Sequence, residues 1–183
     1  MPLRDRVRVL ALAALLGMLP ALAVAEESLE YQVKSAFLVR FADYVDWPAS
    51  AFASPTAPFE ICVAGEDPLG AALDKAAAGH QGHGHPMALK RLKAVRPDSG
   101  CHIVFIAAGE GSHADQQIEA LQGAPVLTVT EAKSGATGIV NFVVKEAHVR
   151  FDIDDAAAMR NGLAISSKLL ALALNVRPRA GAK

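Results

Sequence analysis

The sequence lacks a surplus of positive charge: 18 Lys and Arg stand against 19 Asp and Glu, for a formal net charge of −1. That balance argues against a nucleic-acid partner, which calls for a strongly basic face. There is no G-x-S-x-G nucleophile elbow, no G-x-G-x-x-G fingerprint and no P-loop Lys-Ser/Thr. There is no internal repeat and no long linker. Asp152, Asp154 and Asp155 lie together, but a helix cap and a solvated strand edge account for them. The chain is therefore read as a non-enzyme with no cofactor. Beyond residue 25 no stretch is long and apolar enough to span a bilayer, so the remainder is expected to be soluble, without a transmembrane segment.

The first 25 residues carry a different pattern. Arg4, Arg6 and Arg8 form a positive start, an apolar run follows from Val9 to Ala23, and Ala23-Val24-Ala25 precedes Glu26. Charge, short apolar run and A-x-A end are the order of a cleavable secretory signal. The other reading is a retained anchor, for which the run is short. Removing 25 of 183 residues leaves 158, enough for one domain with a proper core over 26–183. The leader holds three of the basic residues and one of the acidic ones, so the remainder carries −3. Export also bears on the two cysteines, Cys62 and Cys101. In an oxidising compartment an even count points to a disulfide. Its loop of roughly 40 residues is worth about 3–4 kcal/mol in the chain-entropy model. The other reading is two buried free thiols.

Along the remaining chain, strand-like and helix-like apolar segments alternate. Val33, Phe37, Phe41 and Val45 recur every four residues, which predicts a helix capped by Ser28 and ended at Trp47-Pro48. Phe59–Val63 reads as a strand, and Asp67-Pro68 opens a helix that ends at Gly79. Met87–Val95 is a basic strand. Cys101–Ala108 is continuously apolar, as in the middle of a parallel sheet. Ser112 caps a helix stopping at Gly123, and Pro125–Val129 is a further strand. Gly138–Val144 and Ala147–Asp154 read as a hairpin, with Val149, Phe151 and Ile153 on its inner face. A short helix over 155–161 and a last one over Lys168–Val176, capped by Ser166 or Ser167, complete the chain. The expected fold is three-layer α/β: a mostly parallel sheet, helices on both faces and an antiparallel hairpin at one edge. Cys62 and Cys101 then face each other on adjacent strands, and the loops 65–70 and 108–112 meet at a strand-end crevice.

Three features could carry chemistry. His80, His83 and His85 lie within six residues and could hold Zn²⁺ or Cu²⁺. Their loop is glycine-rich and lacks rigid H-E-x-x-H spacing, so a solvated turn is the plainer reading. Lys90, Arg91, Lys93 and Arg96 could bind an anion, or could blunt an edge strand. Gly65–Gly70 follows a strand and opens a helix, a place for a small anion. Phe37, Phe41, Tyr44 and Trp47, and the apolar residues Leu169, Leu170, Leu172 and Leu174, are read mainly as core.

Several segments have a family character. Tyr31-Gln32-Val33-Lys34-Ser35-Ala36-Phe37-Leu38 and Phe41-Ala42-Asp43-Tyr44-Val45-Asp46-Trp47-Pro48 resemble the opening of the YfiR-like periplasmic proteins. Ile61–Gly70, Gly138–Phe142, Val149–Ile153 and Gly162–Leu170 resemble the same family in the same order. Trp47-Pro48 and Ser166-Ser167-Lys168-Leu169-Leu170 are the most specific parts. The chain departs from the pattern at Val39-Arg40, where Tyr-Asn is common, and in its histidine loop. The resemblance implies a periplasmic repressor that binds the sensor domain of an inner-membrane diguanylate cyclase and lowers cyclic-di-GMP. It implies that an OmpA-like outer-membrane lipoprotein sequesters the repressor, and that the repressor is a homodimer. Arg40 and Asp43 on the first helix and Lys168 at the last are the positions expected to face the partner. The competing expectation is a periplasmic small-ligand or metal-binding module.

Overall fold

Strict alternation of apolar side chains builds the sheet. In the strand Phe59–Ala64 (β2), Phe59, Ile61 and Val63 enter one core cluster, and Cys62 and Ala64 enter a second on the opposite face. The strand Ile103–Ile106 (β5) repeats this, with Ile103 and Phe105 on the first face and Val104 and Ile106 on the second. A strand apolar on both faces must be covered on both. Helix α1 (Leu19–Phe41) covers the first face through Leu38 and Phe41, joined by α2 (Gly70–Ala77) through Leu73. Helix α3 (Ser112–Ala120) and the residues beyond it cover the second through Ala114 and Leu121. Burying each such large side chain stabilises by about 1.5–3 kcal/mol. These statements come from a computed structural model that describes residues 19–107, 109 and 112–179. Most of the leader expected over 1–25 lies outside the described residues.

The remaining strands are β1 (Val45–Asp46), β3 (Gln81–Gly82), β4 (His85–Leu92), β6 (Leu127–Glu131), β7 (Val140–Lys145), β8 (His148–Asp154), β9 (Ala164–Ile165) and β10 (Val176–Arg177). The main sheet runs β10-β8-β7-β6-β5-β2-β4-β3. Its centre from β4 to β7 is parallel, β7 and β8 form an antiparallel hairpin, and β1 pairs with β9 in a separate ladder. The fold is thus mixed α/β, with a mostly parallel sheet and helices on both faces. Cys62 and Cys101 are bonded, with Cα atoms 5.8 Å apart.

Four local expectations are corrected. Helix α1 runs from Leu19 through Ser28, so in the described chain Ser28 lies inside a helix rather than at its cap. The same helix stops at Phe41, not at Trp47. The chain turns through Asp43 and Tyr44 because the Tyr44 carbonyl accepts from Ser166 N–H and Val45 pairs with Ile165. After the short helix α4 (Asp155–Arg160), the last helix, α5 (Ser167–Leu170), covers only four residues behind its Ser166 cap. Beyond it the open edge of β8 captures the backbone: Leu174 N–H bonds the Phe151 carbonyl and Ile153 N–H bonds the Asn175 carbonyl. The hairpin is therefore one strand in from the edge, and β10 takes the edge itself.

Polar groups pin α1 at its upper half. Lys34, 2% exposed, bonds Glu131 at 2.6 Å and also pairs with Glu30. Glu131 is equally buried at the end of β6. Breaking a buried pair by removing one partner costs about 3–5 kcal/mol, because the other charge is stranded. Lys34→Met should therefore lower the urea-denaturation free energy by about that amount, and Lys34→Met with Glu131→Leu should recover most of the loss.

The hairpin turn carries strain. Glu146 and Ala147 both have positive φ, 52° and 59°, as a two-residue type I′ turn requires. Neither is the Asn or Gly that such a turn favours. Ala147→Gly should stabilise the protein by about 0.5–1 kcal/mol by removing the left-handed penalty, read as a raised thermal midpoint.

Candidate functional site

The amino ends of the parallel strands gather three histidines and three aromatic residues. Trp47 and Phe52, from the segment after β1, pack against Phe59 at the start of β2. His102, just before β5, stacks 4.7 Å from Phe59 and 4.5 Å from Phe52. His83 and His85 reach the same cluster from β3 and β4, with His85 stacked 4.2 Å from Phe52 and His83 at 5.6 Å from Trp47. Gly82 is demanded here: a Cβ on it would fall 2.7 Å from the Phe59 ring.

Hydrogen bonds assign the imidazole protons. His83 donates from Nε2 to the Val45 carbonyl at 2.7 Å, and His85 donates from Nδ1 to the Ala57 carbonyl at 2.6 Å. A carbonyl can only accept, so each of these nitrogens carries a proton. His102 is the reverse: its Nδ1 accepts from Glu60 N–H at 3.0 Å, so its proton sits on the buried Nε2, which is influenced by the Ala51 carbonyl but makes no well-formed hydrogen bond among the described residues. His80 turns outward to Asp43, Nε2 to carboxylate 3.9 Å. The histidines thus clamp backbone and pack on rings. Among the described residues, no three His, Cys, Asp or Glu side chains form a group able to hold a metal.

His102 is held neutral. Burial is the main cause, and electrostatic interactions with His85, Lys90 and His83 add to it, with the Ala51 carbonyl opposing; together they lower its pKa to about 4. Protonation would also set a donor at Nδ1 against the Glu60 N–H. The unfolded chain takes up this proton from about pH 6.5 downward, while the folded chain refuses it until about pH 4. Stability from this residue is therefore complete above pH 6.5 and lost as pH falls toward 4, by about 3 kcal/mol in all. His102→Asn keeps an acceptor for Glu60 N–H without a titrating ring. Its unfolding free energy, measured beside that of the unmodified protein, should close the gap by about that amount between pH 7 and 4.

Outside this cluster the same end presents a charged rim. Arg40, in the last turn of α1, and Asp43, in the turn just beyond it, form an exposed ion pair at 3.3 Å. Tyr44, 36% exposed, follows, and its carbonyl holds Ser166. Lys168 is exposed on α5, two residues beyond Ser166. The β1–β9 ladder therefore brings the chain at Arg40 and Asp43 beside the chain at Lys168, although over 120 positions separate them in sequence.

The opposite, carboxyl end of the sheet has a different character. The loops after β2 and β5 do meet, since a Cβ on Gly109 would lie 3.2 Å from the Glu66 carboxylate. The meeting point is acidic. Arg91 is engaged by Asp67 at 2.7 Å and Asp74 at 3.0 Å. Burial works to raise the Asp67 pKa, but the Gly70 N–H and Arg91 outweigh it and hold the carboxyl below its usual value. Lys90 is turned to Glu60 and Arg96 to Asp98. Three of the four basic residues are thus engaged in internal pairs, and Lys93 is exposed.

The family model of the YfiR/HmsC-like proteins matches residues 31–174, from the exposed start of α1's packed half to the strand-edge capture at Leu174. This chain belongs to the YfiR/HmsC-like family. The match spans both the aromatic cluster and the β1–β9 ladder, so the rim described above is built on family framework. The YfiR-like family is one of periplasmic regulators of diguanylate cyclases rather than of enzymes. Comparison with curated proteins gives no significant match. Among the described residues, no helix of this YfiR-like chain is long and apolar enough to cross a membrane.

Sequence reasoning missed His102 and the pair Lys34–Glu131. A charged residue on a helix ordinarily faces water, and a lone histidine beside an apolar strand carries no periodic signal. The unusual burial of each is visible only once the partner element is placed.

Proposed function

We propose that this protein is a periplasmic repressor that binds the sensor domain of an inner-membrane diguanylate cyclase and holds its cytoplasmic output off. In this reading residues 1–25 are removed on export, 26–183 fold as one domain, and the repressor works as a homodimer. An OmpA-like outer-membrane lipoprotein competes for it and releases the cyclase. The observation that carries the reading is the family match over residues 31–174. The signal-like leader and the oxidised cysteine pair support the compartment.

The physics required is linkage. A repressor lowers output only if it binds the inactive cyclase more tightly than the active one, and a competitor acts by mass action. The surface proposed for the cyclase is the rim of Arg40, Asp43, Tyr44 and Lys168. Arg40 replaces the residue common in the family, so the rim is also where partner choice would be set. Its charges are exposed, so they act on association and orientation more than on stability. The histidines, committed to the Val45 and Ala57 carbonyls, do not favour the alternative of a metal-binding module.

Cellular cyclic-di-GMP should rise when the gene is deleted and fall when it is restored. The mature protein should bind the isolated sensor domain of its own cyclase, and the double variant Arg40→Glu, Lys168→Glu should weaken that binding by about tenfold or more with the thermal midpoint unchanged. Unchanged cyclic-di-GMP in cells with an active cyclase, together with no binding, would sink the repressor reading. Binding insensitive to both charges would move the interface elsewhere.

A further inference from the structure

We propose that the tip of the β7–β8 hairpin is a docking edge for an extended, acidic segment of a partner polypeptide. Two independent features meet there. The first is an open strand edge. On β8 the backbone groups of Phe151 and Ile153 point outward, to Leu174 and Asn175. By the two-residue repeat of a strand, those of Val149 point outward as well. The β10 pairing reaches only Ile153 and Asp154, so above Phe151 the outer edge of β8 has no strand beside it among the described residues. An unpaired edge is a template for an added strand.

The second feature is charge. A shallow pocket of about 160 Å³ lies along this edge, lined by Lys145, Glu146, His148, Arg150 and Leu174. Lys145 and His148 are directly opposite in the ladder, and Arg150 is the next residue on that face. Among the described residues neither Lys145 nor Arg150 makes an ion pair, and Glu146 is the one carboxylate lining the pocket. Lys145 and Arg150, diagonal neighbours on one face, repel unless an anion is shared between them. Leu174 supplies an apolar floor for the stem of an entering Glu. Val144, 48% exposed, lies on the other face of the same tip. An incoming strand with acids on one face and apolar residues on the other would match both. The tip is at the opposite end of the molecule from the Arg40–Lys168 rim, so the inference stands or falls separately from the repressor reading.

The test is fluorescence anisotropy with the mature protein and a labelled peptide alternating glutamate and valine, with a lysine–valine peptide and free citrate as controls. The acidic peptide should bind, more weakly at high salt, and the lysine peptide should not. Lys145→Gln with Arg150→Gln should weaken binding by about tenfold or more. Val149→Pro should weaken it similarly, since it removes an edge N–H that the β7 ladder does not use. If that variant folds poorly, N-methylation of alternate peptide residues tests the same bond from the other side. No binding of the acidic peptide would overturn the proposal. So would binding that citrate reproduces and that neither Val149→Pro nor N-methylation affects, which would mean an anion pocket only.

Discussion

The backbone and ring of His102 tie together four segments of this molecule. Its N–H bonds the Glu60 carbonyl, its ring accepts from Glu60 N–H, and its carbonyl receives both Leu127 N–H and the Trp47 indole. Strands β2, β5 and β6 and the segment after β1 therefore converge on one residue. The arrangement works only with a neutral ring, because the accepting nitrogen must keep its lone pair. Burial among Phe52, Phe59 and Trp47 enforces that state. The rings around it contribute apolar area and edge-to-face contacts, while the hydrogen bonds set the register in which those rings meet.

The first helix is held at two points by different physics. Its upper half is anchored by the Lys34–Glu131 pair, whose worth lies in specificity as much as in stability, since a buried charge tolerates only the geometry that pairs it. Its lower end is anchored by the β1–β9 ladder and by four phenylalanines, Phe37, Phe41, Phe142 and Phe151, whose rings lie 5.4–6.2 Å apart. A helix pinned at Lys34 and again at Phe41 presents its exposed rim as a rigid surface. Rigidity suits a regulator that must discriminate two states of a partner, because little ordering cost is then charged against the differential contacts.

The elements whose contacts are local or strictly periodic are readable without coordinates. Phe59–Val63 and the hairpin with Val149, Phe151 and Ile153 inward follow from a two-residue repeat, and the run before Ala108 from the continuous apolarity of a strand buried on both faces. The bonded cysteines follow from those strands being neighbours. The ends of α1 and α5 do not follow. Continuing either helix is locally favourable, yet Ser166 N–H takes the Tyr44 carbonyl and the edge of β8 takes Leu174 and Asn175. Backbone groups satisfied by distant partners outweigh helix propensity, and nothing near Tyr44 or Leu174 in sequence announces those partners.

The same division runs through the chemistry. Family membership and the absence of a catalytic signature are written in residue order, because motifs survive as local strings. The fate of the histidines is not. Three imidazoles in six residues read in one dimension as a solvated turn, with metal ligation as the alternative. In three dimensions His83 and His85 donate to carbonyls from two other segments, and His80 turns away to Asp43. Lys34 and Glu131 are 97 residues apart, and Arg40 and Lys168 farther still. Composition and periodicity determine which elements form and which faces are apolar. Pairings between residues so distant depend on how those elements pack, because an ion pair or a hydrogen bond exists only at contact distance.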